Sequence, residues 1–137
     1  MWWIYALLSA VFAAITALLA KVGIKGINSD LATAIRTIFI LLIAWGIVLA
    51  RKESNGIHIL SKSNWLFLGL SGIATGLSWI FYFKALQLGK VSQVAPVDKL
   101  SVAFALILSA LFLHETITLK ILIGTLFIIG GSIIIIL

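Results

Sequence analysis

Charge and cysteine are what this chain has least of. Of its 137 residues only 10% are charged, and none is cysteine. A soluble domain needs roughly 25% charged residues to cover its surface, so water is excluded as the solvent for most of this chain. With 63% hydrophobic residues and a mean hydropathy of +1.26, that solvent must be lipid. The missing cysteine excludes disulfides and thiolate metal sites, although it fixes no compartment. His58 and His114 stand too far apart in sequence to form a histidine metal site. The run GLSGIATG, Gly69 to Gly76, lacks the closing Gly-Lys-Ser/Thr of a phosphate loop. No nucleophile is set beside a base and no carboxylates pair at hydrolytic spacing, so neither an enzyme nor a cofactor is expected.

What is there is a series of apolar runs. About 20 apolar residues cross a bilayer as a helix, and the polar breaks divide the chain into five such runs. They extend from about Trp2 to Ala20, Leu31 to Ala50, Asn64 to Ala85, Val94 to Leu113 and Thr118 to Leu137. No alternating pattern argues for a barrel. The expectation is an all-α membrane protein: one domain over residues 1–137, a bundle of five transmembrane helices. The N-terminal run has no basic residue ahead of it and is too long for the core of a signal peptide, so it reads as a retained first span. Between the fourth and fifth runs only HETI intervenes, which demands a tight helical hairpin. Small residues (Ala10, Ala13, Ala17; Gly69, Gly72, Gly76; Gly124, Gly131) offer surfaces on which membrane helices approach closely.

The net charge of +6 would point to nucleic acid in a soluble protein. Here the basic residues sit mainly at the ends of apolar runs, where they meet headgroups, and no nucleic-acid partner is expected. Five spans place the termini on opposite sides. Arg51, Lys52, Lys62 and Lys120 fall on the side of the N-terminus; Lys21, Lys25, Lys84 and Lys90 fall on the other, joined more deeply by Arg36 and Lys99. So even a distribution barely fixes orientation. It permits insertion both ways, and hence an antiparallel dimer; a single orientation held by a partner fits the same count.

Residues able to carry chemistry concentrate from Trp79 to Ser101, with Arg36 added. Arg36 lies too deep in the second run for a border residue and costs a few kcal/mol unless it snorkels, is hydrated or is paired. Asp30, Asp98, a substrate anion and the headgroups are its candidate partners. Trp79, Tyr82 and Phe83, at i, i+3, i+4 spacing, share a helix face that would line a solute cavity or join the interfacial aromatic belt. Lys84, Lys99 and Asp98 belong to one layer, with Gln87 and Ser101 as further polar contacts. Pro96, the only proline, fits the first turn of a helix, with Ser92 as its cap. Asp98 then sits near a positive helix start, and either dresses that entrance or acts as a buried carboxylate whose protonation couples transport. Glu115 lies in the HETIT turn and is read as fixing it, ahead of Thr118 as a helix cap.

The stretch YFKALQLGKVSQVAPVDKLS, followed by ALFLHETIT and a glycine-rich last helix, resembles the EamA-domain proteins of the drug/metabolite transporter superfamily. The family's Tyr/Phe-x-Ala-Leu pattern corresponds to Tyr82–Leu86, its proline to Pro96, and its Leu-x-x-Glu turn to Leu111 or Phe112 through Glu115. DKLS, Asp98 to Ser101, is similar to the short, single-repeat members. The resemblance implies one EamA-type repeat where most members carry two, related by inverted topology. It therefore implies a half-transporter of dual topology, completed by a second copy as an antiparallel homodimer, or by a paralogous partner. It also implies export or exchange of a small organic metabolite or drug across the inner, cytoplasmic membrane, often with proton coupling. The solute path would run past Arg36, Trp79, Tyr82, Phe83, Lys84, Asp98, Lys99 and Ser101, with Asp98 as the coupling group and Pro96 and Glu115 as turn residues. The small multidrug-resistance proteins, which need a glutamate in their first helix, are disfavoured: there is no acid before Lys21. A subunit that flips a lipid-linked precursor and a non-transporting accessory chain are the alternative readings.

Overall fold

The computed structural model describes residues 1–137 and is all-α. Six α-helices and one 3-10 helix follow in order: α1 Trp2–Gly23, α2 Ser29–Ala50, the 3-10 helix Glu53–Ile59, α3 Lys62–Leu88, α4 Val91–Asp98, α5 Ser101–Phe112 and α6 Leu119–Ile136. With α4 and α5 counted as one broken span, Val91–Phe112, five segments are long and apolar enough to cross a membrane. Lipid offers no partner to a backbone N–H or C=O, so each crossing segment must satisfy its own, and the helix does so. The shortest span, α6, has 18 residues, roughly 27 Å, which matches the hydrocarbon core; the 27 residues of α3 reach roughly 40 Å and carry its ends to the headgroups.

The chain divides into two compact units. In the unit Ala20–Gln87, α1 ends in a turn at Gly26, whose φ of 73° lies in the left-handed region that glycine adopts without strain. Asn28 then caps α2: its side-chain oxygen accepts the N–H groups of Asp30 at 2.8 Å and Leu31 at 3.4 Å. Asp30 adds a negative charge at the positive helix start. The start of α3 is fixed similarly, with the Asn64 N–H donating to the Ser61 hydroxyl at 3.2 Å.

The other unit comprises residues 1–19 and 88–137, with α4 and α5 both packed on α6. Its fourth span is not the continuous helix the apolar run predicts. α4 starts at Val91, with Lys90 at its cap position, and Pro96 lies inside it rather than in its first turn; Ser92 is helical and caps nothing. Proline withholds an N–H and crowds the preceding turn. After it the bonding tightens to i→i+3 steps, Lys99 N–H to Pro96 C=O and Leu100 N–H to Val97 C=O, each 3.0 Å, and the helix stops before α5 resumes. The HETIT turn closes through backbone: His114 takes φ 54°, and the Glu115 N–H donates to the Ser109 carbonyl at 3.3 Å. Thr118 caps α6 as expected, accepting the Ile121 N–H at 3.4 Å.

Little of any span is covered: at most 11% of its most apolar stretch is buried. The glycine faces expected to pack are open too. A methyl group built on Gly69, Gly72, Gly76, Gly124 or Gly131 would meet nothing within 4 Å.

Candidate functional site

In the unit Ala20–Gln87, the depth of Arg36 and the i, i+4 spacing of Trp79 and Phe83 come together as one arrangement. Arg36 projects from the second turn of α2 between two aromatic faces of α3. Its guanidinium carbon lies 4.7 Å from the centroid of the Trp79 ring and 4.6 Å from that of Phe83. Both distances fall within cation–π range, where the negative face of each ring attracts the charge. Phe83 is only 1% exposed, so the clamp is wedged in place. Tyr82 meets Phe83 edge to face, with centroids 5.9 Å apart at 61°. The rings offset the charge without accepting its N–H bonds as an oxygen would. The Arg36 Nη1 is buried and has no hydrogen-bond partner.

Of the partners expected for Arg36, Asp30 accepts from the Ser29 hydroxyl instead, at 3.4 Å. Asp98 forms its ion pair with the adjacent Lys99, at 3.4 Å. Within its own unit the Arg36 guanidinium is met by the two rings of α3. Lys84 is exposed, about one turn from the end of α3. Gln87 bridges two elements of this unit. Its amide nitrogen donates to the carbonyls of Ile27 at 2.7 Å and Ile24 at 3.5 Å, tying the turn after α1 to α3.

In the second unit, Asp98 is the last residue of α4 and its side chain is 37% exposed, so it neither begins a helix nor is buried. It lies at the break, three residues ahead of α5, with Lys99 and Ser101 exposed beside it. The break is met from α6: the Ser132 hydroxyl lies 2.9 Å from the Pro96 carbonyl and 2.8 Å from that of Ile128, and donates into that pair. Ser132 is 3% exposed. It was missed in the sequence, although a lone hydroxyl in the run IIGGSIIII is itself a signal, because polar groups at membrane depth seek partners. No group of three or more His, Cys, Asp or Glu side chains comes together that could hold a metal ion.

Five apolar spans, a helix broken at proline and a guanidinium held at membrane depth define a polytopic helical membrane protein with polar groups inside its spans. The family model described as the EamA-like transporter family matches residues 1–137, and the chain belongs to that family. It is therefore a membrane transporter, as the resemblance from Tyr82 to Glu115 implied. A Sinorhizobium protein named as an uncharacterized transporter in the cobO 3′ region is 49% identical over 131 residues, which cover 96% of this chain and 93% of that one. No solved structure matches the chain.

Proposed function

We propose that this protein is a half-transporter: a secondary, non-enzymatic carrier that exports or exchanges a small organic metabolite across the cytoplasmic membrane as an antiparallel homodimer. The observation that carries the solute site is the Arg36 clamp. An arginine inside an apolar span is expensive unless it serves a function, and Arg36 has ring faces around its charge but no oxygen on its Nη1. A carboxylate or similar anionic group on the solute supplies that oxygen. Trp79, Tyr82 and Phe83 form the apolar wall, and Lys84, Lys99 and Ser101 are the further polar residues of the path. Asp98, at the helix break and paired only to its neighbour, is the coupling group, gaining and losing a proton as the site opens to either side. Discontinuous helices near the midplane recur at such sites in inverted-repeat carriers.

Three facts support the dimer. The basic residues are nearly balanced across the two sides, the glycine faces are uncovered, and the Sinorhizobium relative is of about the same length. The test is topology. Reporters fused to each terminus are expected to report both sides of the membrane in comparable amounts. If every copy faces one way, the antiparallel homodimer is ruled out and a paralogous partner of opposite orientation takes its place.

A further inference from the structure

A second basic site lies apart from the Arg36 clamp, and its argument does not depend on the solute path. Where α1 ends and the tail of α3 passes it, a cleft of about 270 Å³ is lined by Lys21, Ile24, Lys25, Gly26 and Gln87. Both charged residues of that lining are cations, and no carboxylate joins them. Three backbone acceptors around it are already engaged: Lys21 Nζ donates to the Leu86 carbonyl, and Gln87 holds the carbonyls of Ile24 and Ile27. Gly26, at φ 73°, brings bare backbone to the cleft wall where a side chain would be strained.

Helix C-termini by themselves repel anions, each carrying about half a negative charge. Two ends meet near the cleft, so they contribute about one negative charge against two full positive ones. The ammonium groups win, and the cleft presents a positive field. Its level in the membrane follows from the helix bounds. α1 stops at Gly23 and α3 at Leu88, so the cleft opens among the headgroups, where basic pockets between helices select anionic lipids.

We propose that this cleft is a binding site for a phosphate group, either the phosphodiester of an anionic lipid or free phosphate from the water. Lys25, which is exposed, is the variable element. Lys21 and Gln87 form the fixed frame. Phosphate oxygens accept from ammonium N–H groups, and the Gly26 turn leaves room for a tetrahedral anion.

The test uses the full chain, purified in neutral detergent, with native mass spectrometry scoring retained lipid and thermal unfolding scoring free anions. The wild type is expected to retain phosphatidylglycerol in preference to phosphatidylcholine. Lys25→Gln is expected to weaken that preference about five-fold, the effect of one basic residue at a membrane surface. Lys120→Gln, at the start of α6 and outside the lining of this cleft, controls for net charge and is expected to change nothing. If inorganic phosphate raises the unfolding temperature of the lipid-free wild type, and not of Lys25→Gln, the source is free phosphate. If phosphate is silent and the lipid preference holds, the source is the headgroup. The proposal is overturned if neither probe distinguishes wild type from Lys25→Gln, or if Lys120→Gln lowers binding as much.

Discussion

The Arg36 clamp and the Pro96 break are two ways of placing polarity inside an apolar bundle. At the clamp the polar group is a side chain, and the backbone of α2 and α3 remains regular. The charge is stabilised by ring faces, so its hydrogen-bonding capacity stays partly open. At the break the polar group is the backbone itself: the Leu100 N–H turns to Val97, the Pro96 carbonyl keeps only the Lys99 N–H from its own helix, and a serine hydroxyl from a neighbouring helix is set against it. The first arrangement leaves capacity for a ligand; the second uses its capacity to hold two helices together. Polarity at membrane depth is a sign of function only when its partners are missing.

That contrast can be broken or sharpened by mutation. The largest effect is expected at Arg36. Arg36→Ala should leave insertion intact and lower transport by about ten-fold or more, the loss of ~1.4 kcal/mol of solute recognition. Arg36→Lys should recover only part of it, because an ammonium cannot stack flat between two rings. Flux in proteoliposomes decides. An unchanged rate in Arg36→Ala would leave the accessory-chain reading as the better one. Next comes Phe83→Ala, which removes one wall of the clamp and leaves a cavity; about 3 kcal/mol of stability should be lost in detergent unfolding. The smallest effect belongs to the break. Ser132→Ala should cost about 0.6 kcal/mol, a typical interhelical hydrogen bond in a membrane. In a Pro96→Ala background the same change should cost less, because a continuous helix would return the Leu100 N–H to the carbonyl of residue 96. A double-mutant cycle on unfolding free energies measures this. Additivity would mean that Ser132 and Pro96 are not coupled.

The spans were legible in the sequence because lipid leaves the backbone no other choice. The caps at Asn28 and Thr118 follow local rules and concern neighbouring residues only, so Thr118 could be read in advance. The clamp was half legible: the depth of Arg36 and the spacing of Trp79 and Phe83 marked all three residues. The meeting of α2 with α3 depends on helix rotation, which no local pattern encodes. Pro96 was misread because the first turn is where proline is usually tolerated. Inside α4 its carbonyl meets the Ser132 hydroxyl, thirty-six residues away, a contact that no local pattern encodes. The bonds of Gln87 were equally out of reach of a local reading, since its carbonyl partners lie in the turn after α1, some sixty residues away.

The open glycines bear on how the protein is made. Each of Gly69, Gly72, Gly76, Gly124 and Gly131 could accept a methyl group without touching anything in its own chain. A newly inserted chain thus has no close contact to complete at these positions before it is released into the bilayer. For the proposed dimer, biogenesis would then separate into two stages, insertion first and lateral association afterwards, with these bare grooves belonging to the second. Damage there would spare the amount of protein in the membrane and appear only in its assembly.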